Sequence, residues 1–306
     1  MFSRRVSIAF AALVVGGLLS SGTVAAETSD RDNTGNLHAI SFSTDPRFTQ
    51  LLGINDHTII AGYHGDEATE MTPNKGFTLQ IDDNRNNFTD ENFPNSTQTQ
   101  VIGINNAGET DGFYIDQAGT THGFLKLNNN YETVDLPGTT FNQLLGINNK
   151  GQAAGYFQDN ATPALQHAYV HEKGGSFLVL ALPQPSSQAT GINDKGTVVG
   201  FMQASTADTT SKGYILKNGK VTVLQAFGSG FTQALGVNNS DDVVGSYVDA
   251  NGVTKGFVYD NGHYESIEMQ NAQSTVVNGI NNHDALVGFF MDQAGNTVGL
   301  LGQRRS

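Results

Sequence analysis

Residues 143–151 read Gln143-Leu144-Leu145-Gly146-Ile147-Asn148-Asn149-Lys150-Gly151. A short apolar run ends in Gly-Ile-Asn, and a turn of Asn, Lys and Gly follows. Asn and Gly tolerate the positive φ of a tight hairpin, so the stretch reads as a strand entering a hairpin. Its centre returns as Gly53-Ile54-Asn55, Gly103-Ile104-Asn105, Gly191-Ile192-Asn193, Gly236-Val237-Asn238 and Gly279-Ile280-Asn281. Successive copies lie 50, 43, 45, 45 and 43 residues apart. One Gly-Ile-Asn means nothing, but six in register define a repeat.

The flanks supply four strands per copy. Strand a ends in the signature, and strand b follows the turn, as in Gln152–Phe157. Strand c reads His122-Gly123-Phe124-Leu125 or Lys255-Gly256-Phe257-Val258, and strand d follows an Asn-rich turn, as in Tyr131–Leu136. Past the N-terminal segment no stretch keeps i, i+3, i+4 periodicity, so helix is not expected. Four short strands in about 45 residues is the period of a propeller blade. The fold class is therefore all-β, a six-bladed β-propeller over residues 37–302, with 303–306 as a tail. The segment His38–Ser43 aligns with strand d, and the chain ends at Thr297–Leu301, which aligns with strand c. The N-terminal strand is thus expected to complete the last blade and tie the ring shut, which limits exposed sheet edges.

Strand b carries Gly62, Gly112, Gly155, Gly200, Gly245 and Gly288. A glycine inside a strand costs about 0.5–1 kcal/mol against alanine, so the set needs compensation by close approach. An aromatic follows most of them (Tyr63, Phe113, Tyr156, Phe201, Phe289) and most small residues of strand c (Phe77, Phe124, Tyr169, Tyr214, Phe257). These rings are expected to form the core between blades. The signature asparagines are expected to cap their turns. Asp66, Asp116, Asp159, Asp249 and Asp292 stand four residues after the strand-b glycine and are read as turn formers, not as a Ca²⁺ site.

Arg4-Arg5, the apolar run Val6–Leu19 and the small residues Val24-Ala25-Ala26 have the layout of a secretory signal peptide over 1–26, followed by a flexible segment over 27–36. The run is shorter than the ~20 residues of a membrane span, so an uncleaved anchor is the weaker alternative. The chain is expected to be secreted, to the periplasm or beyond. Its formal charge is −13, falling near −15 after cleavage, which disfavours nucleic acid and anionic lipid as partners. Arg304-Arg305 reads as a solvated tail. With no cysteine there is no disulfide, thiolate or cysteine–metal site. The histidines show no metal spacing, and no catalytic or cofactor motif is present. No cofactor, metal or catalytic residue is assigned.

The combination Gly-Ile-Asn-Asn-x-Gly, Gly-[Tyr/Phe]-x-x-Asp, His122-Gly123-Phe124 or His167-Ala168-Tyr169, and Asp135-Leu136-Pro137-Gly138 resembles the HAF-repeat family of bacterial extracellular proteins across the whole mature chain. The resemblance implies an exported bacterial protein and carries over no activity or site residues. The expected function is a binding or scaffold module for an extracellular polymer or protein. Its site is placed on the face of the variable b–c loops, with Asp66, Glu67, Glu70, Asp159 and Asp208 as candidates. The alternatives are a lyase or hydrolase working at the central channel and a structural envelope component.

Overall fold

The computed structural model describes residues 37–304 except 44, 46, 66–72 and 83–84. The expected leader and the segment to residue 36 lie outside the described residues. Among the described residues, 24 strands form six antiparallel sheets of four. Strand β1 is His38–Ile40. Blade 1 is β2 (Thr49–Ile54), β3 (Ile59–His64), β4 (Lys75–Asp82) and β5 (Arg85–Asp90). Blade 2 is β6 (Gln98–Ile104), β7 (Thr110–Ile115), β8 (Thr121–Leu127) and β9 (Asn130–Val134). Blade 3 is β10 (Asn142–Ile147), β11 (Ala153–Gln158), β12 (Gln166–His171) and β13 (Phe177–Val179). Blade 4 is β14 (Ser186–Ile192), β15 (Val198–Gln203), β16 (Lys212–Lys217) and β17 (Lys220–Leu224). Blade 5 is β18 (Thr232–Val237), β19 (Val243–Val248), β20 (Thr254–Asp260) and β21 (His263–Ile267). Blade 6 is β22 (Ser274–Ile280), β23 (Ala285–Met291) and β24 (Thr297–Gln303), completed by β1.

Inner strands touch in the order β2, β6, β10, β14, β18, β22 and back to β2, so the sheets close a propeller ring. The expected closure is present, with His38 opposite Leu301, Ala39 opposite Leu300 and Ile40 opposite Gly299. The tail reading fails at two positions: Gln303 is the last residue of β24, opposite Ala285, and Arg304 is held by ion pairs. Arg304 is only 20 % exposed and lies against Asp260 (3.1 Å), Glu265 (3.4 Å) and Asp242 (4.0 Å). Three carboxylates of blade 5 hold this residue at the end of blade 6, so it is part of the fold.

The signature glycine has a reason that the sequence did not show. Each inner strand carries a bulge immediately before it, at Leu51/Gly53, Val101/Gly103, Leu144/Gly146, Ala189/Gly191, Ala234/Gly236 and Val277/Gly279. A bulge bends and twists its strand, and here it brings six backbones together at the axis. A Cβ on Gly103 would stand 2.9 Å from Cα of Gly146, and one on Gly53 would stand 3.0 Å from Cα of Gly103. The strand-c aromatics Phe77, Phe124, Tyr169, Tyr214 and Phe257 are fully buried, as expected of a core. Burying each contributes about 1.5–3 kcal/mol.

Candidate functional site

Two rings of hydrogen bonds seal the axis. In the first, each signature asparagine accepts at Oδ1 from backbone N–H groups two and four residues on, as in Lys150 and Gln152 to Asn148 (both 3.0 Å). That is the expected turn cap. Its Nδ2 also donates to the signature-asparagine carbonyl of the next blade. The bonds run Asn55 to Asn105 (3.0 Å), Asn105 to Asn148 (3.2 Å), Asn148 to Asn193 (3.0 Å) and Asn193 to Asn238 (2.8 Å). Asn238 to Asn281 (3.4 Å) and Asn281 to Asn55 (3.0 Å) complete the circuit.

The second ring is one residue further on, at Asp56, Asn106, Asn149, Asp194, Asn239 and Asn282. Each backbone N–H donates to Oδ1 of the next member at 2.7–2.9 Å. Asp56 and Asp194 belong to opposite blades, and each accepts two amide donors at Oδ2. Burial works against their charge, but the asparagine bonds outweigh it and hold both carboxyls below the usual range. Neither is a proton donor near neutral pH. The axial cavities measure only about 70 and 80 Å³, room for a few waters and not for a substrate. Among the described residues no group of three or more His, Cys, Asp or Glu is placed to hold a metal ion.

The candidates on the b–c face divide. Asp66, Glu67 and Glu70 lie outside the described residues. Asp159 caps its loop by accepting from the N–H of Ala161 (3.1 Å) and Leu165 (2.9 Å), and meets His167 Nε2 at 2.9 Å. The same Asp-to-strand-c pairing joins Asp116 to His122 (3.4 Å) and Asp249 to Lys255 (3.3 Å). It is a repeat feature that ties the b–c turn to strand c. Asp208 accepts from the Thr210 N–H (2.9 Å) and hydroxyl (2.8 Å) in its own turn.

The larger opening lies between blades 2 and 3, a groove of about 290 Å³. β8 and β9 supply one wall and the β12–β13 hairpin the other. Glu109, Gly151 and Lys173, from turns of the a–b and c–d kind, form its rim. Apolar contact comes from Leu125, Leu127, Val134 and Phe177, and polar groups from Glu132, Asp135 and His171. Here the copies disagree. His171 occupies the position of Leu79, Lys126, Leu216 and Tyr259 in other blades, and Asp111 that of Ala61, Ala154, Val199, Val244 and Val287. Among the described residues, the buried side-chain atoms of these two blades without a hydrogen-bond partner include four that gather behind the groove: Asp111 Oδ2, Asp135 Oδ1, Tyr169 Oη and His171 Nδ1. A buried polar atom without a partner costs about 1–3 kcal/mol, so four in one seam is a concentrated departure from the repeat.

Asp111 is the deepest of them. Its Oδ1 accepts from the Gly103 N–H at 2.8 Å, and the Gly146 N–H also bonds it, so it joins the signatures of blades 2 and 3. Burial nevertheless raises its carboxyl from 3.8 to about 7. The folded state then keeps a proton that the unfolded chain loses near pH 4. The contribution of this one group to stability is therefore full below that pH and falls as pH rises towards and through 7, by up to about 4 kcal/mol. Asp111→Ala, the residue of blades 1 and 3, is expected to raise Tm at pH 8 and to give no such gain at pH 4. Thermal melts at the two pH values check the sign.

Among the described residues no helix is long and apolar enough to cross a membrane. No family model and no curated protein matches the chain. Solved β-propellers do match it in fold. A structure described as a candidate gluconolactonase is 10 % identical, with a TM-score of 0.54, 88 % of this chain and 92 % of that one covered. TolB from Acinetobacter baumannii is 11 % identical, TM-score 0.50, over 86 % of this chain and 66 % of that one. The β-propeller domain of the Trilobed protease from Pyrococcus furiosus is 9 % identical, TM-score 0.50, over 85 % and 96 %. That domain is described as having an open velcro topology, whereas here β1 closes blade 6. The chain is a six-bladed β-propeller sharing its fold, at about a tenth identity, with proteins of several kinds.

Proposed function

We propose that this chain is an exported binding or scaffold propeller of the HAF-repeat kind, which holds a group of an extracellular polymer or protein in the groove between blades 2 and 3. One observation carries the reading: the axis is closed by glycine backbones and two saturated asparagine and aspartate rings, while the seam between blades 2 and 3 stays open and polar. The axial geometry offers a lyase or hydrolase no room for a substrate, and the ring carboxylates Asp56 and Asp194 are not proton donors near neutral pH. Ligand cavities begin near 300 Å³, so the groove suits a side group or a chain end more than a whole polymer segment.

A second reading keeps the site on the b–c/d–a face, and Phe227 favours it. This phenylalanine is 54 % exposed and has φ 51°, an uncommon conformation for a bulky residue. Its ring lies 4.8 Å from that of Tyr247 and 5.8 Å from that of Tyr264. An array of glycans and cell-wall polymers, probed with the chain from Glu27 onward, separates the two. Leu127→Trp, which fills the groove, is expected to abolish binding, and Phe227→Ala to leave it. The reverse pattern moves the site to the loop face.

A further inference from the structure

Resting on that reading, we infer that the groove between blades 2 and 3 selects a primary ammonium group carried on a compact apolar body. Three carboxylates, Glu109, Glu132 and Asp135, line it against the single ammonium of Lys173. Glu109 is engaged with the Asn105 amide at 2.8 Å. Asp135 is held by His122 at one oxygen, Oδ2 (2.6 Å), and its Oδ1 has no partner. It is therefore a buried acceptor waiting for a donor.

His171 is the independent sign of a ligand. It lines the groove, is only 8 % exposed, and its Nδ1 has no partner. Its ring meets Phe177 edge-on at 5.0 Å. Burial holds its pKa below the ordinary histidine value, although Glu172 and Glu132 pull the other way. The neutral ring keeps a lone pair that can accept an ammonium N–H. The field of the seam has the matching sign. Burial first, and the charge of Asp135 next, raise the Tyr169 phenol above its usual value. An ammonium in the groove would bring a donor to this acceptor-rich seam, with Phe177, Leu125 and Leu127 lining the space for its apolar body.

Three probes with one ring and different heads test this: phenethylamine, 2-phenylethanol and phenylacetate, titrated by ligand-observed NMR to about 10 mM, where a millimolar ligand is near saturation. Phenethylamine is expected to bind at least tenfold tighter than the alcohol, and the carboxylate weakest. Glu132→Gln, at an exposed residue, should weaken the amine severalfold and leave the alcohol unchanged. Leu127→Trp should remove binding, and the melting temperature of each variant checks that it is folded. If the alcohol or the carboxylate binds as well as the amine and Leu127→Trp removes it, the ammonium inference is overturned while the groove reading stands. If no probe binds, or if folded Leu127→Trp binds them all as before, the groove reading falls and the inference falls with it.

Discussion

Gly245→Ala is expected to destabilise the protein by at least about 3 kcal/mol and to lower Tm by some 6–10 °C. The added Cβ would run into the carbonyl oxygen of Gln233 on the inner strand, and it would stand 2.8 and 2.9 Å from two carbons of the Phe257 ring. Neither obstacle can yield. The carbonyl belongs to the strand that carries the bulge, and Phe257 is fully buried. The strand-b glycines Gly62, Gly112 and Gly200 meet the same pair of obstacles, a strand-a carbonyl and the strand-c ring of their own blade. The expected close approach is thus present, from the ring of the same blade at these four glycines, with the inner-strand carbonyl as the tighter constraint. Gly230→Ala is the control. No atom lies within 4 Å of its added Cβ, and its backbone is outside the positive-φ region. It should stay within about 0.5 kcal/mol of the parent. Paired urea titrations check the contrast, and equal effects at the two sites would refute the packing argument.

Deleting residues 37–43 from the chain that begins at Glu27 is expected to cost at least about 5 kcal/mol and to lower Tm by more than ~10 °C. Ile40 is 5 % exposed and packs with Leu51, Ile60 and Phe77 in the seam between blades 6 and 1. Phe42 stacks on His64 at 3.8 Å. Without β1 the edge of β24 loses its partner, so the variant should also self-associate. Calorimetry and size-exclusion chromatography report both effects. A truncated chain that melts with the parent and stays monomeric would mean that β1 does not close the ring.

The blade number, the four-strand unit and the closure were legible because each follows from counting and alignment. A glycine in register and a strand missing at one end and present at the other need no coordinates. The burial of the aromatics was legible for the same reason, and it holds for nine of the ten named, Phe289 being only half-buried. Hydrogen bonds between blades were not. The turn-capping role of Asn148 is local, whereas its bond to Asn193 exists only once six turns face a common axis. The bulge before each glycine was hidden because a residue count cannot tell a bulge from a regular strand. Arg304 was misread because three acids distant in sequence meet it only in the folded ring. The groove lies between these cases. Asp111 in a column of alanines and valines, and His171 in a mixed column, were visible as disagreements among copies, but nothing in the chain said that both belong to one seam.

Soaking crystals of the chain from Glu27 onward in a mixed set of small amines, alcohols, carboxylates and monosaccharides tests the central claim most directly. The account predicts density between β8–β9 and the β12–β13 hairpin, against Phe177, His171 and Asp135, with amines dominating. Density clustered at the axial rings or around Phe227, with the groove empty, would contradict it.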